Sequence, residues 1–158
     1  MRELFFNDYS LSFVNLYGDK CHEIFKISDA SEVCIKFVSG EEAYRHMVMD
    51  NTPFACGICK VNDVYHIGYD CEIIRKYNLT IEEQFAFVAH ELGHILMRCN
   101  NQDVDDYLEK EMQADSFAIE LGLQNELISG LEKIMELNPN EISQRIFRLQ
   151  EIVNNTRK

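Results

Sequence analysis

The residues best equipped for chemistry are His90, Glu91 and His94, in the stretch Ala89-His90-Glu91-Leu92-Gly93-His94. Two histidines four positions apart stand one above the other on a single helix face. Their imidazole nitrogens then converge on one point, an arrangement that suits a zinc ion. Glu91, the next residue round, can reach a water held at such an ion and take its proton as a general base. The competing account is an ordinary helix whose histidines are surface or satisfied core groups, and the surrounding sequence speaks against it. Thr80-Ile81-Glu82-Glu83 is a capping-box start, and from there to Cys99 the only Gly or Pro is Gly93. Phe85, Val88, Leu92, Ile95 and Cys99 recur at helical spacing and predict a core-facing stripe. His90 and His94 fall roughly opposite Leu92, off that stripe.

A catalytic zinc commonly takes three protein ligands and leaves a fourth position open. In one class of zinc peptidase the motif runs on as H-E-x-x-H-x-x-G-x-x-H. Here Met97 and Asn100 occupy the required Gly and His positions, so that class is excluded. The next supply of ligands is Glu111-Met112-Gln113-Ala114-Asp115. Glu111 and Asp115 are four apart and share a helix face, with the small Ala114 and Ala118 on or beside it. Small side chains there let a second helix come close enough to share a metal. Glu111 as ligand, with Asp115 fixing the tautomer and orientation of a ligating histidine, is chemically sensible. Asp115 as the direct ligand is the alternative, and Asp105, Asp106 and Glu109 are further carboxylates nearby.

The elements that must position these groups fit into one domain of 158 residues, long enough to bury a core. With 46% hydrophobic residues, disorder is not expected. The formal net charge of −12 argues against a nucleic-acid-binding surface over most of the chain. It also means that most carboxylates simply face solvent. No secretory signal precedes the six cysteines (21, 34, 56, 59, 71 and 99), and no apolar run is long enough for a bilayer. A cytoplasmic protein with free thiols is therefore expected. Cys56-Gly57-Ile58-Cys59 is a lone CxxC. On a strand its odd spacing sends the two sulfurs to opposite faces, so structural thiols are expected there.

Residues 1–20 are rich in apolar side chains without a clean period, and a helix ending near Gly18 is expected. Cys21 to Ile27 and Glu32 to Val38 read as short strands around Ser28-Asp29-Ala30-Ser31. Ser39-Gly40-Glu41-Glu42 opens a helix over 40–50 that stops before Asn51-Thr52-Pro53. Phe54 to Val61 and Val64 to Tyr69 flank Asn62-Asp63 and predict a hairpin. Such a hairpin either completes a sheet or offers an edge to an extended peptide. Beyond the motif helix, Asp103 is the expected cap of a helix with Asp106 in its first turn, running to about Leu121 and stopping at Gly122. A helix over 124–137 follows, broken at Asn138-Pro139. Asn140 is the expected cap of a last helix to about Val153.

The pair of motifs, His90-Glu91-Leu92-Gly93-His94 and Glu111-x-x-Ala114-Asp115-x-Phe117-Ala118, resembles the gluzincin metallopeptidases. It is most similar to the ImmA/IrrE-like family of small zinc peptidases, with a specific match over residues 85–121. The resemblance implies an α+β, zincin-like fold, mostly helical, with a small antiparallel sheet before the motif helix. It implies zinc on His90, His94 and Glu111, with Glu91 as general base. It also implies a protein or peptide substrate, which in this family is often a helix-turn-helix repressor. The chain departs from the family in placing residues 70–80 between the last strand and the motif helix. It departs again in lacking a recognisable DNA-binding domain.

Two classes of function follow. One is a zinc endopeptidase, for which Tyr107, Tyr65, His66 and Tyr69 are positional candidates to steady an oxyanion. The other is a non-catalytic regulatory binding protein that acts on a repressor or toxin partner, or on DNA. Asn138 to Gln150 could pass for the end of a helix-turn-helix carrying Arg145 and Arg148. Yet residues 124–158 hold five basic and five acidic residues, a net charge of zero that gains little from phosphate. Glu91 has no use in a purely structural metal site, which favours the enzyme.

Overall fold

The computed structural model describes residues 3–5, 13, 16–21, 23, 34–38, 56–61, 64–69, 71–99 and 104–156. Four strands form one sheet: β1 (Glu3–Phe5), β2 (Cys34–Val38), β3 (Cys56–Val61) and β4 (Val64–Tyr69), in spatial order β1-β2-β4-β3. The expected hairpin is present, since β3 and β4 pair antiparallel with Val61 opposite Val64. The expectation of an antiparallel sheet is corrected beyond it, because β1/β2 and β2/β4 pair parallel. Parallel neighbours need a connection of about a dozen residues or more. Residues 6–33 and 39–63 supply that length, whereas only two residues separate β3 from β4, which leaves room for antiparallel pairing alone.

Among the described residues, five helices follow the sheet: α1 (Cys71–Lys76), α2 (Ile81–Cys99), α3 (Tyr107–Glu120), α4 (Gln124–Lys133) and α5 (Pro139–Thr156). A 3-10 turn over Met135–Leu137 follows α4. The α4 helix thus ends at Lys133, and the tail of the expected 124–137 helix tightens into that turn. Among the described residues no helix is long and apolar enough to cross a membrane. Residues 13, 16–21 and 23 are helical too. The expected stop near Gly18 and the expected strand from Cys21 are therefore both corrected. Phe13, Tyr17 and Cys21 are four apart; Phe13 and Cys21 are buried, and the Phe13 and Tyr17 rings lie 5.7 and 6.0 Å from that of Phe85. A short apolar run does not separate strand from helix without that period. The helix expected over 40–50 lies outside the described residues.

The central element is α2. Thr80 Oγ1 accepts from the Glu83 N–H at 3.2 Å, and Glu83 Oε1 accepts from the Thr80 N–H at 2.8 Å, which is the expected capping box. Glu83 is itself buried and receives Lys133 Nζ at 2.6 Å and Ser129 Oγ at 2.7 Å, so the same carboxylate ties α4 to the start of α2. Burial opposes the charge of Glu83, but these donors outweigh it and hold the carboxyl below its ordinary range. Phe85, Val88, Leu92 and Ile95 are buried, as their spacing predicts. So is every other residue from 85 to 95, His90 and His94 included. A helix covered on all sides is a core helix. The sheet contributes Tyr65 and Ile67, alternate residues of β4 that share a face, while α3 and α4 cover other sides.

Helix ends obey local chemistry. Asp106, and not the expected Asp103, caps α3 by accepting from the Glu109 N–H at 2.8 Å. Asp103 lies outside the described residues. At the other end Gly122 takes φ +78°, its N–H reaches Ile119 O, and the Leu123 N–H reaches Ala118 O, which is a Schellman stop. The last helix starts two residues earlier than expected, with Asn138 and not Asn140 at its cap. Pro139 is its first residue, where a missing N–H costs nothing, and Asn138 Oδ1 accepts from the Glu141 N–H at 3.4 Å.

The crossing of α2 and α3 is very close at Gly93. A Cβ there would lie 2.5 Å from the Ala114 carbonyl oxygen and 3.0 Å from the Phe117 Cβ. Ala114 and Ala118 are fully buried, as their size allows. Gly93→Ala should therefore destabilise the fold, measured as a lower urea midpoint with unchanged slope. Overpacking costs about 1–3 kcal/mol, against at most about 1 kcal/mol gained from helix propensity. A backbone oxygen cannot rotate away, so the cost should win. An unchanged or higher midpoint would mean that the two helices can separate freely.

Candidate metal centre

The close α2–α3 crossing brings the two motifs face to face. His90 Nε2 lies 3.0 Å from Glu111 Oε2, and His94 Nε2 lies 3.0 Å from Glu111 Oε1. The two Nε2 atoms are 3.1 Å apart, with the rings almost perpendicular at 89°. Among the described residues these three side chains form the group whose ligand atoms all lie within 4.8 Å of one another. The chemistry of the set fits zinc. Ligands about 2.0–2.2 Å from one tetrahedral ion stand roughly 3.3 Å apart, close to the spacing seen here. Two imidazole lone pairs and a carboxylate aimed at one another are also mutually repulsive unless a proton or a cation lies between them.

Asp115 takes the supporting place. Its Oδ1 lies 2.7 Å from His90 Nδ1, on the far side of the ring from Glu111. A carboxylate there keeps the proton on Nδ1 and the lone pair on Nε2. The face shared by Glu111 and Asp115 is thus divided. Glu111 meets both histidines at Nε2, and Asp115 meets one of them from behind. Glu109, by contrast, is exposed and faces Arg148 Nη1 at 3.9 Å.

Sequence reading left Arg145 out of this site. Arg145, on α5, is 6% exposed. Its Nε donates to Asp115 Oδ2 at 3.0 Å and its Nη2 donates to Asp115 Oδ1 at 2.7 Å. Its Nη1 lies 3.5 Å from both Glu111 Oε2 and Glu141 Oε1. The signal was present: Ile142, Ile146 and Leu149 form a buried stripe, and Arg145 sits on it at helical spacing. An arginine in an apolar stripe calls for a buried anionic partner. This placement also removes Arg145 from any surface that could meet phosphate.

The charges are strongly coupled. Burial works against the charge of Glu111, but His90, His94 and Arg145 outweigh it and hold the carboxyl well below the usual range. Burial likewise opposes Asp115, and Arg145 and His90 hold it low. Burial disfavours a charged His90, yet Glu111 and Asp115 together push its pKa up to about 10 in the metal-free protein. Glu91 is buried beside the cluster. Burial is the largest influence on it and leaves its pKa raised, although His90, His94 and Arg145 pull the other way. A carboxyl so placed holds a proton more readily than one in water, because its charged form is less favoured there.

The oxyanion candidates separate cleanly. Tyr65 is buried in the core. Tyr107, one turn before Glu111, is 64% exposed, and burial with the charges of Glu111 and Glu141 pushes its pKa up to about 12. It therefore stays protonated and keeps a hydroxyl donor near the cluster. The side chains of His66 and Tyr69 lie outside the described residues. Compared with family models, with curated proteins and with solved structures, the chain matches none.

Proposed function

We propose that the chain is a zinc-dependent endopeptidase of the gluzincin type, with a zincin-like fold. The observation that carries this reading is the convergence of His90 Nε2, His94 Nε2 and the Glu111 carboxylate beside the buried Glu91. Zinc bound there supplies a Lewis acid for a peptide carbonyl and for water. Glu91 takes the proton of the attacking water and hands it to the leaving amine nitrogen, so one carboxylate serves both halves of the reaction. Asp115 keeps His90 in the tautomer that presents Nε2 inward. Tyr107 is the best-placed donor toward a developing oxyanion, being exposed, protonated and one helical turn from Glu111. Residues 85–121 resemble ImmA/IrrE-like peptidases, so the proposed substrate is a helix-turn-helix repressor in the cytoplasm.

Protein purified without added metal should carry about one zinc ion per chain, the load of a single three-ligand site. Elemental analysis reads this directly. Metal-free protein that also fails to take up added zinc would remove the central assumption.

A further inference from the structure

Behind the three ligands and Asp115 stands a charge that the proposed mechanism does not use. Arg145 reaches the site from α5, the last helix, with its guanidinium buried among Asp115, Glu111 and Glu141. A buried arginine is costly unless its partners are well arranged. Its position on the stripe of Ile142, Ile146 and Leu149 would accept a leucine or methionine on packing grounds alone. We propose that Arg145 is a positioning residue of the metal centre. Its fork fixes the Asp115 carboxylate, which in turn holds His90 Nδ1 and keeps Nε2 aimed at the metal. The proposal rests on the reading of His90, His94 and Glu111 as zinc ligands.

The geometry supports a fork and not a mere counter-charge. Arg145 makes two parallel bonds, Nε to Oδ2 at 3.0 Å and Nη2 to Oδ1 at 2.7 Å, and so fixes the plane of the carboxylate. Oδ1 is also the oxygen that faces His90 Nδ1 at 2.7 Å. Nη2 and Nδ1 lie 3.3 Å apart because both donate to this one oxygen. Rotation of the carboxylate would lose all three bonds together. A guanidinium beside a cation site also repels the cation, so the sign of its effect has to be decided. Three carboxylates surround Arg145 and offset most of its field. Without it, Asp115 would be left buried with only an imidazole to satisfy it. The orienting effect should therefore outweigh the repulsion, and Arg145 should strengthen zinc binding.

Zinc affinity of the full chain, measured by competition with a chelator, tests this. Arg145→Met should weaken binding about 10–100-fold, the range for partners behind a ligand. Asp115→Asn should do the same, and the double variant should be no worse than either single one, because both act through one contact. The His90 Nδ1–H signal of the zinc-loaded protein should exchange with water faster in Arg145→Met. Arg145→Lys keeps the charge without the fork and should fall between wild type and Arg145→Met. If Arg145→Met does not fold, the lysine variant carries the test: weaker binding supports the proposal and wild-type binding overturns it. Zinc binding by Arg145→Met as tight as wild type, or tighter, overturns it. So do losses that multiply in the double variant, which would show that Arg145 acts by docking α5 alone. A wild-type chain that binds no zinc overturns the metal-centre reading and this proposal with it, a result distinct from wild-type binding that survives the substitutions.

Discussion

Glu91→Gln should keep its zinc and its fold while losing peptide cleavage by about 10²–10⁴-fold, the contribution of a positioned general base. Gln preserves the volume and most of the polarity of the buried side chain, so core packing around α2 is left intact. It cannot take up or release the proton that the leaving amine requires. His90, His94 and Glu111 are untouched, and zinc content should stay at the wild-type level. The assay is cleavage of a helix-turn-helix repressor, with unfolded casein as a second substrate, and zinc is measured on the same samples. Equal cleavage, or equal relief of repression, by wild type and Glu91→Gln would show that the chain acts on its partner by binding. Loss of zinc together with activity would instead mean that Glu91 shapes the ligand set.

The parts of this protein that were legible in its sequence are those whose cause is local. A capping box at Thr80 and Glu83 starts α2, and Gly122 stops α3, because each end is satisfied within a few residues. The i, i+4 histidines and the Glu111/Asp115 pair could be placed on helix faces by spacing alone. What the sequence concealed is non-local. The parallel pairing of β1 and β2 depends on which strands meet across long connections, and neither strand encodes its neighbour. The all-round burial of residues 85–95 of α2 depends on α3 and α4 closing over its sides, those that carry His90 and His94 included. Pro139 reads as a break, yet it opens α5, because a proline that ends one helix serves equally as the first residue of the next. Arg145 was legible only in part: its place on the stripe of Ile142, Ile146 and Leu149 calls for an anionic partner, but nothing local names Asp115, thirty positions away, as that partner.

Glu111→Ala should weaken zinc binding by more than the roughly 10–100-fold expected of Asp115→Ala, since partners behind a ligand fall in that range and a ligand itself should cost more. Glu111 gives one oxygen to each histidine, at 3.0 Å in both cases, so its removal takes away the only carboxylate facing both Nε2 atoms among the described residues. Glu109→Ala is the matched control. Glu109 sits two residues away on the same helix, but it is exposed and its contact with Arg148 spans 3.9 Å. Exposed pairs of that kind contribute about 0–1 kcal/mol, so neither zinc binding nor stability should change noticeably. Glu111→Gln separates charge from shape: it retains a carbonyl oxygen in place of a carboxylate and should bind zinc better than Ala and worse than wild type. Helical content of each variant, read by circular dichroism without metal, checks that α3 is intact. Equal zinc affinity in wild type and Glu111→Ala would remove Glu111 from the ligand set. Asp115 would then have to leave His90 Nδ1 and Arg145 to reach the metal, and the pairing seen around it would lose its purpose.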